Sequence, residues 1–416
     1  MRPVVCSPLS SIPTLARSLA LAGLLLPAVA SAQLTEEEAV QRALARPEVR
    51  DLVEGDVDVA RGDAIRAGLW PNPVLSYARE RSSGGPSTAG DDLALITQTF
   101  DISGRRGLRA DAASRRVEAT RARGASTRLA LEVEVRARFH DLLAAERRVA
   151  ATAEALQRID TLSTAVGRRL AAGDASGYDR GRLVRERASI GARAAVEEAG
   201  RARARARLGG LLGAKEVPNV TGELLPAGAP PALESLARRI ISRPDLRALT
   251  EEAEAGSLDA RAGGRGWIPE LTLSGGYKEW TAQGERLNGF ALGVAIPFPL
   301  FDRGQDEVLR GDGRARAARA RLALETEAAN AEVRGLHAQA TALTEAARGF
   351  RADALETSRR LIATADAAYR GGELGILELV DAHRGALDAE LQALDLELTA
   401  RRARLELDLV TGGTTR

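Results

Sequence analysis

The stretch RPEVR, residues 46–50, returns almost unchanged as RPDLR at residues 243–247. The two stretches are 197 positions apart, and Trp70 and Trp267 are separated by the same distance. Three further landmarks recur in the same order at offsets between 199 and 201. FDISGRRG at 100 corresponds to FDRGQDE at 301, the segment that ends at 179 corresponds to the one that ends at 378, and the segment that ends at 213 corresponds to the one that ends at 412. Ordered recurrence at one offset indicates a tandem duplication of a structural unit.

The duplication predicts the domain organisation of the whole chain. The first repeat spans residues 33–212, a linker rich in proline and glycine spans 213–232, and the second repeat spans 233–412, followed by a short tail at 413–416. Each repeat has one plan. A helix comes first, a strand pair follows at about 72–102 or about 270–301, and a long helical hairpin completes the repeat at about 103–212 or about 303–412.

The strand pair of the second repeat shows a clear two-residue alternation. Its apolar residues, which alternate with small or polar ones, are Leu271, Leu273, Tyr277, Phe290, Leu292, Val294 and Ile296. Weaker counterparts lie at 74–82 and 92–100. Four strands with one apolar face cannot close a barrel, since known membrane barrels have at least ~8 strands. Several copies must therefore pool their strands, with these apolar residues facing lipid.

The helical tracts of both repeats are too long for an ordinary globular domain. They extend from about 103 to 171 and from about 303 to 370, which corresponds to about 100 Å each at 1.5 Å per residue. A glycine-containing turn and a returning helix of about 35 residues follow each tract. This pattern predicts antiparallel coiled-coil hairpins in a mainly α protein with a small β part.

The N-terminus predicts export. Arg2 and Arg17 precede the apolar run 19–30, and Ala30-Ser31-Ala32 forms a small-x-small cleavage site, so residues 1–32 fit a secretory signal peptide. A membrane anchor is the alternative, but the run is short for a membrane span. The single cysteine, Cys6, falls inside this segment, so the mature chain would have no disulfide and no thiol chemistry.

Charge and motif content argue against other function classes. The chain has 59 basic and 57 acidic residues, which interleave, whereas a nucleic-acid-binding protein concentrates positive charge. No P-loop, nucleophile elbow or metal-ligand histidine pair occurs, which predicts no enzyme, no cofactor and no bound metal. His140, His337 and His383 stand alone in the sequence, and we interpret them as helix-surface residues rather than ligands.

The duplicated order of helix, strand pair and long hairpin resembles the TolC-type outer-membrane efflux proteins across residues 34–412. WPNPVLSY at 70–77 and FDISGRRGLR at 100–109 are most similar to the branch that serves cobalt-zinc-cadmium heavy-metal efflux. The resemblance implies a homotrimer with a shared 12-stranded barrel in the outer membrane and an α-helical barrel in the periplasm. It also implies a passive exit duct that docks on a periplasmic adaptor and an inner-membrane pump of the RND type.

The resemblance also assigns a periplasmic mouth to the segment YRGGELGILELVDA, residues 369–382. Glu378 and Asp381 would line the mouth on one helix face. Asp179 and Tyr369 match family positions that tie neighbouring helices in the closed state. The arginine that often partners them is replaced by Leu374, so the substitute would be Arg180 or Arg182. Spacing alone favours an ordinary solvated helix face for the two acids, and the resemblance makes the mouth an equal alternative.

Two alternatives remain open at the level of sequence. A periplasmic coiled-coil adaptor, or another structural protein of an envelope complex, would also carry long helical hairpins, although adaptors normally have one hairpin flanked by β-rich modules. Trp70 and Trp267 fit an aromatic belt at the bilayer boundary, but they also fit simple packing at a helix-to-strand junction.

Overall fold

The computed structural model describes residues 33–84, 87–282 and 284–413. The predicted signal peptide, residues 1–32, and residues 414–416 of the predicted tail lie outside this range. The first half contains α1 Glu36–Leu44, α2 Pro47–Gly68, β1 Val74–Gly84, β2 Ser87–Phe100, α3 Arg105–Ala172 and α4 Gly177–Leu212. The second half contains α5 Leu233–Ile240, α6 Pro244–Gly263, β3 Leu271–Ala282, β4 Glu285–Ala295, α7 Gln305–Phe350, a π-helical turn Arg351–Leu355, α8 Glu356–Gly371 and α9 Ile376–Val410.

Each half begins with two helices, where a single helix was expected. Pro47 and Pro244 occupy the first turn of α2 and α6, and the arginine before each proline has an extended backbone. Proline disfavours helical geometry in the residue before it, so the chain must begin a new helix there. The Arg46 Nη1 donates to the carbonyl oxygens of Gly210 and Leu211, both at 3.0 Å. The repeated RP stretch therefore starts one helix and binds the C-terminal carbonyls of another.

The second half uses its repeated arginine in the same way. Arg243 Nη1 donates to the carbonyl oxygen of Val410, the last residue of α9, at 3.1 Å. The final carbonyls of a helix have no partner within the helix, so an arginine hydrogen bond there is stabilising. Each RP stretch thus joins the end of its repeat back to its beginning.

The four strands form one antiparallel sheet in the order β1-β2-β3-β4. Tyr277 lies opposite Ala94 on one side and Phe290 on the other, which defines the register of β3 with both of its neighbours. The strands extend beyond their predicted ends, because β2 already begins at Ser87 and β4 at Glu285. Backbone pairing continues into the polar segments that the sequence predicted as loops.

Both helical hairpins are present, but the second is not continuous. Helix α3 has 68 residues and ends at Ala172, and the next residue, Gly173, has a left-handed φ of 88°. The tract expected as one helix over 303–370 is interrupted by the π-helical turn Arg351–Leu355. A π turn accommodates one extra residue within a helix. Here it directs Arg351 Nη1 to Glu397 Oε1 of α9 at 3.0 Å.

The core is a thin seam between helices. Phe139 and Ile159 of α3 are fully buried together with Leu208 of α4. The linker joins this cluster through Leu224, and Leu34 forms backbone hydrogen bonds with linker residues at 3.0 Å. Within residues 33–84, 87–282 and 284–413, no helix combines the length and apolar character that a membrane span requires.

Candidate functional site

The two hairpin turns pack together at one end of the long helices. Val166 and Leu183 of the first hairpin form a buried apolar cluster with Ile376, Leu379 and Val380 of α9. These residues are drawn from the last turns of α3 and the first turns of α4 and α9, so both tips lie side by side. This cluster positions the four polar residues that the sequence assigned to the mouth.

Glu378 and Asp381 lie in the first two turns of α9, and both side chains are exposed. Their neighbours Leu379 and Val380 point into the tip cluster, so the two acids occupy the outward face of the helix. Neither carboxylate forms an ion pair with another residue of the described ranges. The structure therefore places the two acids where they can meet ions or another chain.

Asp179 and Tyr369 have partners within their own chain. Asp179 Oδ2 accepts a hydrogen bond from Ser176 N at 3.0 Å, and Ser176 Oγ accepts one from Asp179 N at 3.2 Å. This reciprocal pair is a capping box that starts α4. The Arg169 guanidinium lies 5.2 Å from the Tyr369 ring centre. Arg169 therefore contacts Tyr369 within the chain. The role suggested for Arg180 or Arg182 concerns neighbouring helices of the closed state and stays a prediction.

Two ion pairs join neighbouring parts of the two repeats, and no sequence pattern described above predicted either of them. Arg384 binds Glu186 through two hydrogen bonds, with 3.1 Å between Arg384 Nε and Glu186 Oε1. Arg109 Nε binds Glu307 Oε1 at 2.8 Å. The two members of each pair are 198 positions apart, one to three positions short of the local repeat offset of 199 to 201. Opposite charges close to the repeat offset were the signal that could have found them.

These ion pairs change the acid–base properties of their members. The hydrogen bond from Arg109 is the main cause that lowers the pKa of Glu307, and Arg105 adds to it. The hydrogen bond to Glu186 raises the pKa of Arg384. Glu186 is only 2% exposed, and the Arg384 guanidinium offsets the free-energy cost of burying its side chain.

The sheet places the predicted apolar residues on one face. Phe290 and Leu292 are 91% and 88% exposed, and Leu273, Tyr277 and Val294 are also exposed. Leu271 shares the face but is half-buried, and Ile296 lies one residue beyond the end of β4. The same face of the first repeat carries the exposed residues Leu75, Tyr77, Ile96 and Phe100.

The opposite face of the sheet carries small and polar residues together with a few bulky apolar ones. Thr99 Oγ1 and Thr272 Oγ1 are hydrogen-bonded across β2 and β3 at 3.0 Å. Ser274 pairs with Gly293, and any Cβ at Gly293 would meet Ser274 Oγ at 2.5 Å. The sheet is therefore unevenly amphipathic. Most of its bulky exposed apolar side chains lie on one face, and the other face also carries Val74, Leu93, Leu95, Trp280 and Leu287.

The two tryptophans differ in their surroundings. Trp70 packs edge-on against Phe100 at 6.0 Å, and the Arg106 guanidinium lies 4.0 Å from its ring. Trp267 is 63% exposed. Packing at the helix-to-strand junction therefore accounts for Trp70, whereas Trp267 has a free apolar surface.

Helices α2, α3, α6 and α7 enclose a concave groove of about 1370 Å³ below the sheet. Its lining carries arginines and carboxylates in close association. Asp259 is contacted by Arg116 and, at 3.3 Å, by Arg314 Nη1, while Glu307 is shared by Arg105 and Arg109. Each of these two carboxylates thus forms ion pairs with two arginines.

Two of the three histidines are buried, which corrects the expectation that all lie on the helix surface. His140 Nε2 lies 3.3 Å from Glu36 Oε2, and burial lowers the pKa of this histidine. His383 Nε2 lies 3.0 Å from Asp366 Oδ1. The described ranges contain no group of three or more histidine, cysteine, aspartate or glutamate side chains suited to hold a metal ion.

Comparison with known proteins adds to this geometry. The family profile described as "Outer membrane efflux protein" matches residues 236–413. The nickel and cobalt resistance protein CnrC of Cupriavidus metallidurans is 30% identical over 292 residues, which cover 68% of each chain. The cobalt-zinc-cadmium resistance protein CzcC of the same organism is 25% identical over 390 residues, covering 93% of this chain and 92% of CzcC.

The fold agrees with these sequence relationships. A solved structure of CusC, described in terms of transmembrane channel formation, superposes with a TM-score of 0.73 at 18% identity. The superposition covers 91% of this chain and 92% of the CusC chain, which shows a shared fold. The duplicated hairpins, the four-stranded amphipathic sheet and the relationship to CnrC lead to one conclusion: this chain belongs to the outer membrane efflux protein family.

Proposed function

We propose that the chain is the outer-membrane exit channel of a tripartite efflux system and works as a homotrimer. A signal peptide at 1–32 would export it, and the repeats at 33–212 and 233–412 would form the duct on either side of the linker 213–232. The channel itself is passive. A periplasmic adaptor and an inner-membrane pump of the RND type would deliver the cargo and supply the energy.

The sheet is the observation that carries the proposal. One four-stranded sheet with an exposed apolar face has two open edges, β1 and β4, and cannot close on itself. Three copies supply twelve strands, which is enough to close a barrel and leave no edge in lipid. In that arrangement the seven apolar residues named above face lipid, and the threonine and serine face lines the water-filled interior.

The mouth of the proposed channel lies at the hairpin tips. Threefold repetition of Glu378 and Asp381 would present up to six carboxylates around the axis, and such a ring raises the local concentration of cations. Asp179 and Tyr369 would contact neighbouring helices across the closed mouth. Arg169 would stabilise Tyr369 from within the chain.

The proposed cargo is a divalent heavy-metal cation. The relatives CnrC and CzcC are named for resistance to nickel and cobalt and to cobalt, zinc and cadmium. An acidic mouth fits a cationic cargo, and a conduit needs no metal ligands to pass one. The proposed cargo is therefore supported by the metals for which the relatives are named and by the exposed acids at the tip.

Replacing both acids tests the mouth. In planar bilayers, Glu378→Ala with Asp381→Ala should reduce the ratio of cation to anion permeability. The control is Glu406→Ala, an exposed acid at the far end of the same helix. If the double variant had the same selectivity as the unmodified channel, Glu378 and Asp381 would not line the mouth.

A further inference from the structure

The groove below the sheet is lined by rows of charged side chains that recur at a spacing of seven residues. The rows on α3, α6 and α7 consist of Arg109, Arg116 and Arg123, of Glu252 and Asp259, and of Glu307, Arg314 and Arg321. Seven residues are nearly two full helical turns, so each row runs along one side of its helix. Because α2 packs on α3 and α7 packs on α6, helices α3 and α6 are the middle two. Their rows form the floor of the groove.

The carboxylate of Asp259 in this floor is enclosed by arginines from both neighbouring helices. Arg116 of α3 contacts it, and Arg314 Nη1 of α7 lies 3.3 Å from Asp259 Oδ2. The Asp259 side chain is 12% exposed, whereas those of Arg116 and Arg314 are 41% and 63% exposed. The groove therefore meets guanidinium groups rather than a carboxylate at this level. One carboxylate and two guanidinium groups together have a net positive charge.

The same pairing continues along the groove on both sides of Asp259. Toward the sheet, Glu307 accepts hydrogen bonds from Arg105 Nη2 and Arg109 Nε, both at 2.8 Å. Away from the sheet, Arg123 of α3 pairs with Glu252 of α6. Every acid of the three rows is thus held by at least one arginine of another helix.

The rim of the groove is paired less completely. Asp56 and Asp63 of α2 line it, and within the described part of the chain they form no ion pair. The whole lining has seven acidic and seven basic side chains, so its formal charge is balanced. The floor differs from the rim in the pairing of its charges and not in their number.

The acids of the floor also differ from those at the proposed mouth. Within the described ranges, Glu378 and Asp381 form no ion pair, whereas Asp259 and Glu307 each bind two arginines. A divalent cation could bind Asp259 only by displacing charge-assisted hydrogen bonds. It would then remain beside two positive charges that repel it. The floor is consequently a poor binding surface for cations.

We propose that the floor of the groove is part of the inner wall of the duct, and that its arginines prevent divalent cation cargo from being retained there. The inference rests on the proposed function, because a concave surface of four helices faces the axis when three copies surround one duct. It gives two sets of acids different tasks. Those at the mouth attract cations, and Asp259 is shielded so that the cations pass on. Conduction requires this combination, since an ion that binds too tightly does not leave.

Block of the channel by Ni²⁺ tests the shielding. Arg116→Gln with Arg314→Gln removes both guanidinium partners of Asp259. In planar bilayers, the Ni²⁺ concentration that halves the K⁺ current should fall about fivefold, because the net charge around each Asp259 changes from positive to negative. The matched control is Arg50→Gln with Arg61→Gln, which removes the same charge from exposed residues of α2 outside the groove. The control should keep the half-blocking concentration of the unmodified channel.

A triple variant separates the Asp259 carboxylate from the general charge of the wall. Adding Asp259→Asn to the double variant should restore the original half-blocking concentration, because no bare carboxylate remains. The proposal is overturned by a double variant that responds like the unmodified channel or like the control, and equally by a triple variant as sensitive as the double one.

A milder variant covers the case in which the double variant yields no channel. Arg314→Gln alone leaves Arg116 on Asp259 and should lower the half-blocking concentration by a smaller factor than the double variant. If the double variant does not assemble and Arg314→Gln shows no shift, the proposal is also overturned. An unmodified protein that forms no channel overturns the proposed function instead.

Discussion

Replacing Glu36 with glutamine should loosen the first helix from the long hairpin. Glu36 Oε1 accepts a hydrogen bond from Arg136 Nη1 of α3 at 2.7 Å, and His140 Nε2 lies 3.3 Å from Oε2. The Glu36 side chain is 20% exposed. Burial alone would raise the pKa of Glu36, but His140 and Arg136 outweigh it and lower this pKa to about 2.

The size and sign of the effect follow from linkage. Because the folded pKa lies below the ordinary value of 4.5, ionised Glu36 stabilises the fold above about pH 4.5. That stability is lost as the pH falls from about 4.5 toward 2. At about 1.36 kcal/mol for each unit by which the pKa is lowered, ionised Glu36 adds about 3 kcal/mol to the free energy of unfolding at neutral pH. Burial lowers the pKa of His140, so its protonation below pH 6.5 destabilises the fold in the same direction.

Hydrogen exchange gives the assay. The exchange rates of the α1 amides are expressed as protection factors, which correct for the intrinsic pH dependence of exchange. These factors report the free energy of opening this helix. We expect Glu36→Gln to lower that free energy by about 2–3 kcal/mol at pH 7. The matched control is Glu37→Gln, because Glu37 is the exposed neighbour in the same turn.

Two results would refute this reasoning. The first is a Glu36→Gln protein whose α1 amides at pH 7 are as protected as those of the unmodified chain. The second is an unmodified chain whose α1 protection does not fall between pH 4.5 and 2. Either would mean that the carboxylate gains nothing from Arg136 and His140 in the folded state.

Two further substitutions test the sheet and the contact between repeats. Leu292→Arg should lower the yield of outer-membrane-inserted protein, since arginine on a lipid face costs about 2–4 kcal/mol near the midplane. Ala291→Arg, on the opposite face, should insert normally, and equal yields would contradict the facing assignment. Arg384→Ala should reduce thermal stability by about 2 kcal/mol or more, because it leaves the buried Glu186 carboxylate unpaired. Arg193→Ala removes an exposed pair and should cost less than about 1 kcal/mol, so equal losses from both would count against a buried Glu186 pair.

Patterns within a short stretch of sequence correctly predicted the strands that such a short-range period defines. Alternation around Leu273 and Leu292 indicated β3, β4 and their shared face, because a strand has a period of two residues. The ends of the strands were predicted too short, since pairing with a neighbouring strand carries polar residues such as Asn288 into the ladder. The π-helical turn at 351–355 had no local signal in the sequence.

Contacts between distant segments were harder to predict. His140 looked like a surface residue because helical spacing gives no information about Glu36, which reaches it from 104 positions away. Glu186 and Arg384 each resemble ordinary solvated charges until the repeats are superposed. Arg384 lies one position before the counterpart of Glu186, because the repeat offset here is 199, so a comparison of charges close to the repeat offset would have identified this pair.

The number of copies in the membrane-extracted particle tests the central claim most directly. The claim is that each chain contributes four strands to a barrel that it cannot close alone. After correction for bound detergent, the account predicts the mass of three mature chains and a β-sheet signal in the circular dichroism spectrum of the particle. A particle with the mass of one chain that retains the same sheet signal would contradict it.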